Sequence, residues 1–477
     1  MHYNIRNIIS INKEYPLYKF YFNEIKKSIL NGRVSENQIL PPTRVLSKDL
    51  NISRTTALKV YDLLLFEGLI TSKKGSGYYV TYKKNIYVKK DQKKYNLYPS
   101  LSKKSKLFKK NRYLSTDNFS RTSVAFRPGL PPLDIFPVNK WKNISNKYWR
   151  LSKPTDLSYA PAEGLEKLRI KISNYLKIYR NIRCDYNQII ITSGSLHSLY
   201  LISNSILDNG DKIGMENPTF PRAFNLFKCL KAKIIPCDID KEGIVLNNLN
   251  TEVKFIYTTP SNQYPLGIRM SLNRRKEILK WISNNNSLII EDDYDHEFSN
   301  FKNPIPSLYS LDNEDRIIYL GTFNKLLHPS LRIGYMIAPK FMLESIKSIY
   351  EQSSRFVPSS TQEIMSTFIE KDYLNKHIRN VIEVASKRKE LFISNTKETL
   401  LINKKEHNGL HLIAKFKNKK NDLITFKSLL KSNVVAYPLS NYYITKNKKN
   451  GLVMGYSSVN SKVLNEKTAI INQVLKK

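Results

Sequence analysis

Cysteine is scarce in this chain of 477 residues: Cys184, Cys229 and Cys237 stand far apart, and no two form a C-x-x-C pair. That spacing supplies neither a disulfide framework nor a four-ligand zinc site, so the three read as buried thiols and no metal is expected. Also missing is any apolar run near the roughly 20 residues that cross a bilayer. The opening MHYNIRNIISINKEYPLYKF has no continuous apolar segment followed by a small-residue cleavage site. Membrane insertion and export are therefore not expected, and the expected location is the cytoplasm. Acid is the other shortage. Against 78 Lys and Arg there are 40 Asp and Glu, a formal charge of +38. A polyanionic partner is the simplest functional explanation, but Lys, Asn and Ile abound throughout, and a coding bias would raise the charge in the same way.

What is present divides into three stretches, without internal repeats. Residues 14–82 alternate short helical patterns with turn signals. Residues 83–120, rich in paired lysines and without a sustained apolar period, read as a basic linker whose lysines either stay solvated or touch phosphates in passing. Residues 121–477 alternate strand-like and helix-like runs, with a smaller subdomain expected from about 345. The length suits one short module and one large domain.

In the first stretch, Leu17, Tyr21, Ile25 and Ile29 recur every four residues and Gly32 follows, which predicts an amphipathic helix. A second short helix opens at Pro41-Pro42, with Leu46 and Leu50 facing inward. In SRTTALKVYDLLLFEG, Ser53 is an N-cap, Ala57, Tyr61 and Leu64 form the buried stripe, and Gly68 is the stop. Arg54, Thr55, Thr56 and Lys59 are left on the outer face near the N-terminal end, where a recognition helix meets DNA. LITSKKGSGYYV then reads as strand, turn (Lys73, Lys74, Gly75, Ser76, Gly77) and strand: a wing. A generic three-helix core shows the same stripes.

Further on, the residues suit an aldehyde cofactor. Pyridoxal phosphate (PLP) chemistry needs a Schiff-base lysine, an acid on the pyridine nitrogen, a group on the ring hydroxyl and a phosphate cradle. SLIIEDDYDHEF is an apolar strand that delivers Asp292 and Tyr294 at its end, and a positive pyridinium would keep that carboxylate ionised. QIIITSGSLHSLYLI runs strand, turn, helix, so the amides of Ser195 and Leu196 would face an anion. Arg332 and Thr322 would add a charged fork and a hydroxyl, and Phe220 an aromatic face. Taken singly, each of these motifs is more often structural; their order along the chain carries the reading.

The cluster LPPTR…SRTT…YDLLLFEGLI…KKGSGYYV resembles the winged helix of GntR regulators. From FRPGLPPLDIFPVNKW onward the chain resembles a fold-type I aminotransferase domain: YAPAEGLEKLR, TSGSLHSL, ENPTFP, TTPSNQYPLG, EDDYDHEF and YLGTFNKLLHPSLRIGY stand in the family's order. The two halves in this order are similar to the MocR subfamily of GntR regulators. The resemblance implies an α+β winged helix-turn-helix domain, a basic linker and a large α/β PLP-dependent transferase domain with a smaller C-terminal α+β subdomain. It implies Lys325 as the Schiff-base lysine, Asp292 on the pyridine nitrogen, Tyr294 near the ring hydroxyl, Phe220 stacked on the ring, and Ser195, Leu196, Thr322 and Arg332 on the phosphate. Residues expected at a double-stranded DNA operator are Arg44, Ser53, Arg54, Thr55, Thr56, Lys59, Lys73, Lys74, Gly75 and Gly77. A homodimer is implied too.

Two departures bear on function. Asn324 precedes the lysine where the family usually has serine. The stretch NGLVMGYSSV lacks the arginine that catalytic aminotransferases place near Val453 to clamp a substrate carboxylate; Arg222 is the alternative for an amine or amino-acid effector. The expected function is thus a PLP-responsive transcriptional regulator, not an enzyme. The competing readings are a working aminotransferase and a DNA binder with a cofactor-free dimerisation domain.

Overall fold

A computed structural model describes residues 16–73, 75–82, 99–111, 124–249, 253–298, 304–403 and 409–476. The chain divides into two compact units, Met1–Ser100 and Leu101–Lys477.

In the first unit, α1 (Leu17–Leu30), β1 (Ile39–Leu40), α2 (Thr43–Asp49), α3 (Arg54–Phe66), β2 (Ile70–Lys73) and β3 (Gly77–Val80) follow in order. The strands form an antiparallel sheet β1-β3-β2, and the short β1 against Tyr78 and Tyr79 has no counterpart in the sequence reading. Tyr21, Ile25, Ile29, Leu46, Ala57, Val60, Tyr61 and Leu64 share one core. Leu17, expected in that stripe, is instead exposed. Each four-residue step turns about 40° past a full turn of 3.6 residues, so three steps carry Leu17 about 120° from Ile29 and off the buried face. Ser53 caps α3 by accepting the Thr56 amide at 3.1 Å, and Gly68, at φ +68°, follows its last turn.

The second unit opens with α4 (Lys103–Lys110), inside the stretch read as linker. Ser102 caps it, and the thiol of Cys229 points at the Leu107 carbonyl, 3.8 Å away. With lysine at five of its eight positions, this helix shows no apolar period to read.

Next come β4 (Val124–Ala125), α5 (Val138–Leu151), α6 (Glu166–Arg180), β5 (Ile189–Thr192), α7 (Ser195–Ile206), β6 (Lys212–Asn217), α8 (Pro221–Cys229), β7 (Lys233–Asp240), β8 (Gly243–Ile244) and β9 (Phe255–Thr258). They are followed by α9 (Leu272–Asn284), β10 (Leu288–Asp292), α10 (Leu308–Leu311), β11 (Ile317–Thr322), β12 (Gly334–Ile337) and α11 (Leu343–Ser353). Eight strands form one sheet in the order β5-β12-β11-β10-β9-β6-β7-β8. The run from β11 to β7 is parallel, β12 is antiparallel to both its neighbours, and β8 closes the edge. The interior strands are buried along their length, as a sheet covered on both faces requires. The carboxyl ends of β5, β10 and β11 therefore open on one edge, where ligands of open α/β sheets bind.

The remainder comprises α12 (Ser359–Glu370), α13 (Tyr373–Thr396), β13 (Leu400–Leu401), β14 (Leu412–Phe416), α14 (Asp422–Lys431), β15 (Val434–Val435), β16 (Tyr437–Pro438), β17 (Leu452–Met454) and α15 (Ser461–Lys476), with a sheet β13-β14-β17-β16. Ile346 and Tyr350 of α11 share a core with Leu199 of α7 and Met336 of β12. β4 pairs in parallel with β15, and Phe126 meets Phe392 edge to face at 5.8 Å. The segment that enters this domain thus returns to its C-terminal layer. All three cysteines are unpaired; Cys229 and Cys237 are buried, whereas Cys184 is only half-buried. No helix among the described residues is long and apolar enough to cross a membrane.

Candidate functional site

The run EDDYDH carries four acids, and the fold sorts them. Glu291 takes the Leu308 and Tyr309 amides at 3.0 and 2.9 Å and faces Arg275 at 3.4 Å, all in the interior. Asp293 pairs with Arg180 at 2.7 Å and accepts the Tyr319 hydroxyl; although burial alone would push it up, Arg180 holds its carboxyl below the usual range. Asp295 accepts from Asn262 at 2.6 Å. Asp292, the last residue of β10, lines a cavity of about 380 Å3.

That cavity collects the expected residues: Ser195, Leu196, Phe220, Arg222, Asp292, Tyr294, Thr322, Lys325 and Arg332 all line it, and Gly194, which was not expected, joins them. Its volume falls within the usual range for small-molecule sites, about 300–1,000 Å3. Asp292 is 4% exposed and accepts from Tyr257 at 2.9 Å and Ser195 at 3.2 Å. Burial raises it to about 6 against those hydrogen bonds and the pull of Lys325; a pyridinium opposite would favour its charged form. The Tyr294 hydroxyl donates to the Asn262 carbonyl at 2.9 Å. Lys325 follows β11 in a short 3-10 turn, with Nζ 6.0 Å from the centre of the Tyr294 ring. Burial lowers its pKa, with Asp295 and Asp292 opposing and Arg222 adding to the effect. A Cβ on Gly129 would stand 2.7 Å from that Nζ, so the glycine leaves the amine room.

The end of the cavity expected to take the phosphate is more tightly built than the motifs suggested. Gly194, at φ +119°, precedes α7, whose first amides lie outside the intrahelical ladder, and Ser195 and Leu196 line the cavity. The Thr322 hydroxyl accepts the Asn324 amide at 3.2 Å and lies 3.4 Å from the Ile333 carbonyl, so it is engaged within the protein. Asn324 Oδ1 accepts from the Ile333 amide at 3.3 Å, leaving Nδ2 where a Cβ on Gly194 would stand 2.9 Å away. The amide is thus turned into the cradle. Arg332, itself in the left-handed region at φ +55°, donates to Ser193 Oγ at 3.4 Å.

Sequence reasoning missed Tyr257, Gly129, Arg127, Asn262 and the cavity-lining Tyr437 and Tyr442. Tyr257 stood in an apolar strand run, where an aromatic reads as core. Val453 sits buried with Ile413, Tyr437 and Tyr442, so that strand brings no arginine to the cavity; the arginines lining it are Arg127, Arg222 and Arg332.

In the first unit, Arg44, Ser53, Arg54, Thr55, Lys59, Lys73 and Gly75 are exposed, and Gly77 is half-buried in the wing. Thr56 departs from the expectation of an outward side chain: half-buried, its hydroxyl lies 2.8 Å from Ser53 Oγ, because the cap claims it. Lys59 sits 4.2 Å over the Tyr18 ring of α1. Lys74 lies outside the described residues.

Comparison with known proteins matches both halves. The model of bacterial regulatory proteins of the gntR family matches residues 17–80, and that of class I and II aminotransferases matches residues 129–451. The uncharacterized HTH-type transcriptional regulator YhdI of Bacillus subtilis is 31% identical over 93% of this chain and 92% of its own. The probable rhizopine catabolism regulatory protein MocR of Rhizobium meliloti is 28% identical over 96% of this chain and 94% of its own. The chain belongs to the MocR-type regulators of the GntR family. The large domain of this MocR-type chain has the fold of LysN, the α-aminoadipate aminotransferase of Thermus thermophilus solved with N-(5'-phosphopyridoxyl)-L-leucine. The TM-score is 0.70, at 21% identity over 78% of this chain and 96% of that one. Its cofactor is pyridoxal 5'-phosphate, its GntR domain binds DNA, and the protein is a transcriptional regulator.

Proposed function

We propose that this MocR-type regulator senses PLP, or the adduct of PLP with an amine, as a cytoplasmic homodimer whose winged helices read an operator. The observation that carries the reading is the convergence of Lys325, Asp292, Tyr294 and Arg332 on one cavity in a chain that begins with a GntR domain. Bound PLP supplies an electrophilic carbonyl. Lys325 is its attachment point, Asp292 holds the proton on the ring nitrogen, Tyr294 serves the ring hydroxyl, and Phe220 covers a ring face. Phosphate falls to the Ser195 and Leu196 amides and Arg332, and to Thr322 once its hydroxyl gives up the 3.4 Å bond to the Ile333 carbonyl. Arg44, Ser53, Arg54, Thr55, Thr56, Lys59, Lys73, Lys74, Gly75 and Gly77 form the DNA-facing set. The working boundaries are 14–82 for the DNA-binding domain, 83–120 for the linker, whose α4 packs on the sensor domain, and 121–477 for the sensor domain. Genes for vitamin B6 synthesis or for amine and amino-acid use are the proposed targets.

The aminotransferase domain acts as a sensor here rather than as an enzyme. Support comes from Val453, an apolar side chain where a carboxylate clamp would stand. A second reading, residual transamination, is favoured by the complete lysine and acid pair. Arg222 is the proposed carboxylate contact for an effector. Titrating the PLP-loaded protein with α- and ω-amino acids, and with amines of the same length that lack the carboxylate, separates these ideas. Amino acids are expected to perturb the visible band without multiple turnovers. Arg222→Ala is expected to weaken that response roughly tenfold or more, in line with a charge-assisted hydrogen bond of about 1.5–3 kcal/mol, while sparing the amines. Sustained keto-acid release would favour the enzyme.

A further inference from the structure

The turn that begins the phosphate cradle is tied down by a residue outside the cofactor set. His197 is the third residue of α7. Its Nδ1 accepts the Ser193 amide at 3.2 Å, which places the ring proton on Nε2, 3.0 Å from Ser354 Oγ beyond the end of α11. The ring stands edge-on to Tyr350, centroids 4.9 Å apart, and the Tyr350 hydroxyl is anchored on the Ile191 carbonyl at 3.1 Å. Ser193 in turn receives Arg332 through its Oγ. One imidazole therefore joins β5, the cradle turn, Arg332 and α11.

The charge acting on the imidazole is that of Arg332, which in turn feels Arg222; Tyr350 is the titratable group packed against it. Burial first, and then Arg332, lower His197 to about 4. Nδ1 thus remains an acceptor at neutral pH, and no proton competes with the Ser193 amide for it.

We propose that His197 is a positioning residue for the phosphate: by holding the Ser193 amide it fixes the serine hydroxyl and hence the Arg332 fork, so that guanidinium and helix amides converge on one anion. This deepens the PLP reading of the cavity and depends on it.

The test compares PLP with pyridoxal, which keeps the aldehyde and ring but lacks the phosphate. The full-length chain is titrated with each, the Lys325-dependent visible band is followed, and every variant is normalised to wild type with the same aldehyde. Asparagine can place an amide oxygen near the site of Nδ1, whereas glutamine reaches toward Nε2. His197→Ala and His197→Gln are expected to weaken PLP about tenfold, the scale of one hydrogen bond lost in an anion site, with His197→Asn close to wild type. All three are expected to take pyridoxal as wild type does. Equal losses for PLP and pyridoxal would overturn the proposal, as would an alanine variant that binds PLP normally. A wild-type chain that forms no Lys325-dependent band with either aldehyde would overturn the cavity reading along with it.

Discussion

Lys325→Ala is expected to abolish the visible Schiff-base band that the wild-type chain develops with PLP, and to leave nothing for borohydride to fix. The effect is all or none because one bond produces the signal. Several lysines on this basic surface could trap an aldehyde slowly, but Lys325 differs in its surroundings. Burial depresses its pKa, so more of it is the neutral nucleophile at a given pH than of an exposed lysine. Asp292 and Asp295 oppose that shift without cancelling it. Gly129 leaves the amine free of a neighbouring Cβ. The wild-type chain should therefore capture PLP at a pH where free lysine is protonated, with the rate rising as pH rises through the lowered pKa. Lys340→Ala, at an exposed site, serves as the control. A full band in Lys325→Ala would place the attachment elsewhere.

Arg54→Ala is expected to cost about 1–3 kcal/mol of specific DNA affinity, roughly a tenfold to hundredfold loss, while leaving non-specific binding close to wild type. The recognition helix is held in rotation by its buried stripe: Ala57, Val60, Tyr61 and Leu64 face the core, and the Tyr61 hydroxyl donates to the Pro41 carbonyl at 2.7 Å. Ser53 fixes its start. Arg54 is then the first residue of the helix and exposed, at the end that enters the major groove. An arginine there can bind guanine through both its N7 and O6. Lys59, further along the helix and laid over Tyr18, is the proposed phosphate contact; Lys59→Ala should lower the salt slope by about one and weaken all sequences alike. Competition between a selected duplex and random duplex, repeated at several salt concentrations, separates the two. Equal losses on both duplexes for Arg54→Ala would remove it from base reading.

The parts of the site legible in the sequence were those in which an apolar run ends in a polar residue. Such a run is an interior strand of a parallel sheet, and its carboxyl end is where chemistry collects; Asp292, Thr322 and the Thr192–Leu196 turn were visible for this reason. Tyr257 was not, since an aromatic within FIYT reads as core, and its bond to Asp292 joins residues 35 apart. His197 was hidden for the same reason, as its partner Ser354 lies 157 residues away. In the first unit the helices were legible because capping and spacing are local. Leu17 and Thr56 departed because the helical drift and the cap hydrogen bond decide individual side chains, which a periodic pattern does not resolve. α4 lay in a lysine-rich stretch and rests on the large domain through α8. No run of residues within it announces that.

Coupling between cofactor and operator is measured most directly by the affinity of the full-length protein for a duplex selected from a random pool, at one fixed salt concentration, with and without saturating PLP. The expected result is a shift in the wild-type Kd of about fivefold or more, the lower end of typical allosteric coupling, with no shift in Lys325→Ala. Superimposable wild-type isotherms, recorded while the Schiff-base band is present, would contradict a sensor role for the aminotransferase domain.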